Sequence, residues 1–159
     1  MFQLDLLVMV KEVDSNIHGR ASRNRGPFQL IRIKGRLLSL IYTFSMHKVF
    51  EMPVADVYVH YVNKVERKDR TEAELIKVIT WLTGFDSKTL KSHLKKQSTF
   101  REFFKAAKIH PNAKLITGSI CGVKISEIED PLMKKIRYLD KLVDELANGR
   151  PMEKILRSS

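Results

Sequence analysis

Cysteine is nearly absent from this chain: one thiol, Cys121, stands among 159 residues. That excludes an internal disulfide and any metal site built from several cysteines, and it fits a reducing, cytoplasmic setting. The five histidines, His18, His47, His60, His93 and His110, show neither HxxxH nor HExxH spacing, so no zinc site is expected. No apolar run reaches the roughly 18 residues a spanning helix needs, so no membrane span is expected. The opening "MFQLDLLVMVKEVD" lacks a positive n-region, and Asp5 interrupts its apolar stretch, which speaks against a secretory signal. Phosphate-cradling glycine patterns are missing too. The segment "TGSICG" has neither GxxxxGK[ST] nor GxGxxG spacing, and no cofactor is expected.

Acidic charge is also scarce. The chain carries 29 Lys+Arg against 18 Asp+Glu, a net charge of +11, which favours polyanionic partners. Between Asp14 and Glu51 there is no acid at all, while Arg20, Arg23, Arg25, Arg32, Lys34 and Arg36 accumulate. That composition is shared with organelle transit peptides, but Asp5, Glu12 and Asp14 argue against one. The stretch "HGRASRNRGPFQ" reads as a linker, and "LIRIKGRLLSLIYTF" as a short helix or strand without a cap. Residues 1–45 are read as a basic, poorly ordered or dispensable extension, with a helical domain over residues 46–159.

Beyond Met46 the pattern is helical. Val54, Val57, Tyr58, Tyr61, Val62 and Val65 form one apolar stripe, with Pro53 suited to the first turn. "TEAE" from Thr71 to Glu74 is a capping box: the hydroxyl serves one orphan amide and the carboxylate reaches back to another. Leu75, Val78, Ile79 and Leu82 follow as a buried face, and Gly84 ends the helix. Asp86 caps a helix carrying Leu90 and Leu94, and Thr99 with Glu102 makes a second capping box. Asp130–Pro131 starts, and Gly149 stops, the longest helix, with Leu132, Ile136, Leu139, Val143 and Leu146 on one face. A short helix follows Pro151. No alternating strand pattern is evident after Met46. The expected class is all-α: a compact bundle of about six short helices with one longer C-terminal helix, about 131–148.

"KVERKDRTEAEL", "VITWLTGFD", "LITGSICGVKISEIEDPLMKKIRYLDKLVDEL" and "MEKIL" together resemble an uncharacterised bacterial family, catalogued as domain of unknown function 2200, from about Val49 to Arg157. The family pattern usually has glycine where this chain has Asp69, and its members usually begin near Met46. The resemblance implies no reaction, ligand or catalytic residue.

Candidate chemistry is sparse. Cys121, between Ile120 and Gly122, lacks an evident base and reads as a small packed side chain. A thiol-dependent enzyme built on it is the remote alternative to a protein without catalysis. Glu127, Glu129 and Asp130 read as helix-start acids favoured by the helix dipole. One surface stands out. Lys88, Lys91, Lys95, Lys96, Arg101, Lys105 and Lys108 meet only Glu102 as an acid between positions 88 and 108. Lys88, Lys91 and Lys95 share one helix face by spacing, and Arg101, Lys105 and Lys108 another, with Phe100, Phe103 and Phe104 expected in the core. A stripe of this kind can neutralise phosphates in a salt-sensitive, sequence-independent way, or it can be a solvated face. Two functions therefore stand side by side: a basic module associating with nucleic acid, and a module that binds another protein or itself.

Overall fold

The computed structural model describes residues 48–120 and 122–157. The chain divides into two units, Met1–Val49 and Phe50–Ser159, and the architecture below is that of the second. The expected extension over residues 1–45 lies outside the described residues, as does Cys121.

Six α-helices lie wholly within the described residues: α1 (Val54–Glu66), α2 (Glu72–Thr83), α3 (Ser87–Lys95), α4 (Phe100–Ala106), α5 (Pro131–Ala147) and α6 (Met152–Ile155). The mainly helical class read from the sequence holds. Between α4 and α5 lie a 3-10 turn, Pro111–Leu115, a hairpin of β1 (Ser119–Ile120) with β2 (Val123–Lys124), and a second 3-10 turn, Ile125–Glu127. The hairpin, which sequence pattern does not reveal, pairs Ser119 with Lys124 and Ile120 with Val123, antiparallel. Two residues per strand are too few for an alternation to register.

Local chemistry starts each helix where the side chains dictate. The amides of Glu74 and Glu102 donate to the Thr71 and Thr99 hydroxyls, and each glutamate returns the bond, completing both capping boxes. Asp86 accepts from the Thr89 amide and Asp130 from the Met133 amide. Pro53 stands one position earlier than expected, at the N-cap of α1 rather than in its first turn. It faces Thr99 in an antiparallel bridge: the Val54 amide donates to Ser98 at 2.9 Å and the Phe100 amide to Met52 at 3.1 Å. The starts of α1 and α4 are thereby tied side by side.

The core centres on α5, which packs against α1, α2, α4 and α6. Its Met133, Ile136, Leu139, Leu142, Val143 and Leu146 are buried, against Val65 of α1, Leu75, Val78 and Leu82 of α2, and the phenylalanines of α4. Leu132, expected on this face, is only half-buried. Two contacts show the relative direction of α1 and α5: Tyr61 donates to Asp140 at 2.5 Å and Lys64 reaches Asp144 at 3.0 Å. Both numbers rise together, so the two helices run parallel.

The ends of α1 and α3 share one geometry. After α1 the Arg70 amide returns to Val65 and the Asp69 amide to Glu66, with Asp69 at φ +56°. This pair of hydrogen bonds with a left-handed residue is the arrangement in which glycine is preferred. After α3 Gln97 occupies the same place at φ +51°, with Ser98 bonding back to His93. Asp69→Gly should raise the unfolding free energy by about 0.5–1 kcal/mol, since a left-handed Cβ costs roughly 1–2 kcal/mol and glycine's extra unfolded freedom returns part of that. Urea denaturation of the two proteins measures it; a less stable glycine variant would sink the argument.

Candidate functional site

The outer surface of α3 and α4 is built by the same periodicity that fills the core. On α3, Leu90 is buried and His93 and Leu94 are half-buried, so Lys88, Lys91 and Lys95 fall on the opposite, exposed face, spread over about 10 Å of helix. Lys96 follows, exposed, at the C-cap. On α4, Phe100, Phe103 and Phe104 are buried to 1% exposure or less, and Arg101 and Lys105 are exposed on the other side. The phenylalanines are core residues, as expected, and offer no stacking surface.

Two of the seven basic residues sit differently from the sequence reading. Arg101 is committed: its Nε meets Glu51 at 2.7 Å, and its guanidinium lies 5.5 Å from the centre of the Phe50 ring. Lys108 is not on the helix face with Arg101 and Lys105, because α4 stops at Ala106 and Ala107 is extended. The cause is tertiary: the Lys108 amide donates to Thr83 at 2.8 Å and the His110 amide to Leu82 at 3.0 Å, which pulls the chain onto the end of α2. The close approach requires Gly84, at φ +70°, where an added Cβ would stand 2.9 Å from the Lys108 carbonyl oxygen. The stripe thus turns a corner after Lys105 and continues on α2.

The two nearby acids, Glu102 and Asp86, both serve as helix-start caps. Glu102 spends its carboxylate on the Thr99 amide at 3.0 Å. Asp86 caps α3, and hydrogen bonds from Thr89 hold its carboxyl below the usual carboxylate range, with Lys88 adding to the effect. Among the described residues, Lys91, Lys95, Lys96, Lys105 and Lys108 have no carboxylate within ion-pair distance. Beneath them His93 is held by Ser98 at 2.9 Å, stacked on Phe85 and edge-on to Phe103. Burial pushes its pKa below the ordinary histidine value, and the charge of Lys96 pushes the same way.

A second polar group lies elsewhere. Asp140 accepts from Tyr61 and pairs with Arg137 at 3.1 Å; burial nevertheless pushes its carboxyl up, opposed by those two partners and by Lys64. Glu145, 6% exposed, is held by Arg150 at 2.8 Å and by Arg157 at 2.9 Å. Both groups join helices and are fully engaged in doing so. No set of three or more His, Cys, Asp or Glu side chains that could hold a metal comes together among the described residues. No helix among them is long and apolar enough to cross a membrane.

The class defined here is a small, mainly helical domain with a lysine-rich face. A family profile described as "Uncharacterized protein conserved in bacteria (DUF2200)" matches residues 48–157, and the chain belongs to that family. It is similar to a solved structure described as "Crystal structure of uncharacterized protein SP1917", at 42% sequence identity and a TM-score of 0.66, over 69% of this chain and 91% of that one. No curated protein matches the chain.

Proposed function

We propose that this protein is a non-catalytic binding module that associates with nucleic acid through the lysines of α3 and α4. The observation that carries the reading is the sidedness of these two helices. Their apolar residues are packed inward, while Lys91, Lys95, Lys96 and Lys105 stand exposed, with no carboxylate partner among the described residues. Unpaired surface lysines bind phosphates by releasing condensed counterions, which makes the association salt-dependent and blind to sequence. The alternative, a protein-binding or self-associating module, draws less support. Among the described residues, the large apolar side chains most open to solvent, Val59 at 57% and Leu115 at 52%, stand on separate elements.

The test is the triple variant Lys91→Glu, Lys95→Glu, Lys105→Glu. Its affinity for nucleic acid should fall for all sequences alike, and the slope of log affinity against log salt should drop by roughly one for each phosphate no longer neutralised. Thermal stability should move by no more than about 0.5 kcal/mol, because exposed charges without a specific partner contribute little. An unaltered affinity and salt slope would remove the reading.

A further inference from the structure

The corner at Ala107 delivers the basic stripe to an aromatic pair. Trp81, the chain's single tryptophan, stands on α2 one turn after Lys77. Its ring stacks on that of His110, with centroids 4.4 Å apart and planes 26° from parallel. The pair is fixed from both sides. The backbone bonds of Lys108 and His110 to the end of α2 hold the strand-like segment in place. The Asn112 amide donates to Nδ1 of His110 at 3.1 Å and so sets the imidazole plane.

A pair serving only to pack would be enclosed by apolar neighbours. Here both residues are only half-buried, and the residues flanking them along the two backbones, Lys77 and Lys108, are exposed cations. Rigid aromatic surface between lysines is what an unpaired nucleobase requires: a flat apolar face to stack on, and positive charge for the phosphates on either side. Bases inside a duplex already stack on one another and cannot use it.

Resting on the reading proposed above, we infer that Trp81 and His110 form a base-stacking platform, flanked by Lys77 and Lys108, for single-stranded nucleic acid. The stripe on α3 and α4 then carries the phosphates of the same strand.

Three polyanions test this on the full chain: a thymidine oligonucleotide, a duplex with the same number of phosphates, and inorganic polyphosphate. The emission of Trp81 and the anisotropy of a labelled oligonucleotide are followed together. The single strand should perturb Trp81 emission and bind roughly tenfold or more above the duplex and polyphosphate, the scale set by stacking one base. Trp81→Leu should remove that advantage and leave duplex and polyphosphate affinity within about twofold. Because Trp81→Leu also disturbs packing, Lys77→Glu serves as a second variant: it leaves the stacked pair intact, and single-strand affinity should still fall. Equal binding of single strand and duplex with unmoved Trp81 emission overturns the platform and leaves the basic face standing. Failure to bind any of the three overturns both.

Discussion

Phe103→Ala should lower the unfolding free energy by about 3–5 kcal/mol, the usual range for deleting a fully buried phenyl ring and leaving a cavity. Phe103 is at 0% exposure, and its ring meets Phe85 at 5.1 Å, Phe104 at 5.3 Å and His93 at 5.4 Å, edge-on to each. Removing it opens the space between α3 and α4 and frees the histidine that ties α3 to the start of α4. Denaturant unfolding followed by circular dichroism measures the loss, with Lys105→Ala on the same helix as a control expected within about 0.5 kcal/mol. If Phe103→Ala cost less than about 1 kcal/mol, the ring would not be core, and the inward assignment of this face of α4 would fail.

The second large effect belongs to Glu145. Its two oxygens receive Arg150 and both terminal nitrogens of Arg157, while Arg157 also donates to the carbonyls of Lys154 and Ile155. The carboxylate therefore holds α6 against the end of α5. Removing one partner of a buried pair costs about 3–5 kcal/mol, because a charge is left without compensation. For Glu145→Ala the lower end, about 3 kcal/mol, is expected, since α6 is a single turn and can release Arg157 to water. Added salt should not mimic the effect, because a shielded pair is screened far less than exposed ones. Limited proteolysis should cut near residues 152–157 faster in the variant; equal rates and equal stability would show the arginines to be incidental.

What could be read in advance divides along the range of the causing interaction. Thr71, Thr99, Asp86 and Asp130 were legible because a cap acts on amides three residues away. The buried faces of α2 and α5 were legible because helical periodicity is local. The ends of α1 and α3 were not, since Asp69 and Gln97 take the conformation that normally advertises itself as glycine. Lys108 was misplaced on the face of α4 because the bond that extends Ala107 comes from Thr83, 25 residues upstream. Glu145 is enclosed by the return of Arg150 and Arg157, which helical periodicity does not reveal. For the candidate site, the lysines themselves were plain, whereas the meeting of Trp81 with His110 depends on that same displaced segment.

The parallel run of α1 beside α5 has a consequence for how the chain closes. Tyr61 and Asp140 are 79 residues apart. Bringing such distant points together costs on the order of 4 kcal/mol in chain entropy by the logarithmic law for loops. The hydroxyl bond and the Lys64 pair, at about 1 kcal/mol each, cannot offset that; the apolar surfaces beneath must. What the polar pairs contribute is registration. Sliding α5 by one turn would present Asp144 to Tyr61 but only the amide of Asn148 to Lys64, leaving that ammonium without its carboxylate. The seam works as a vernier: one of its marks still coincides after a slip, and the second does not.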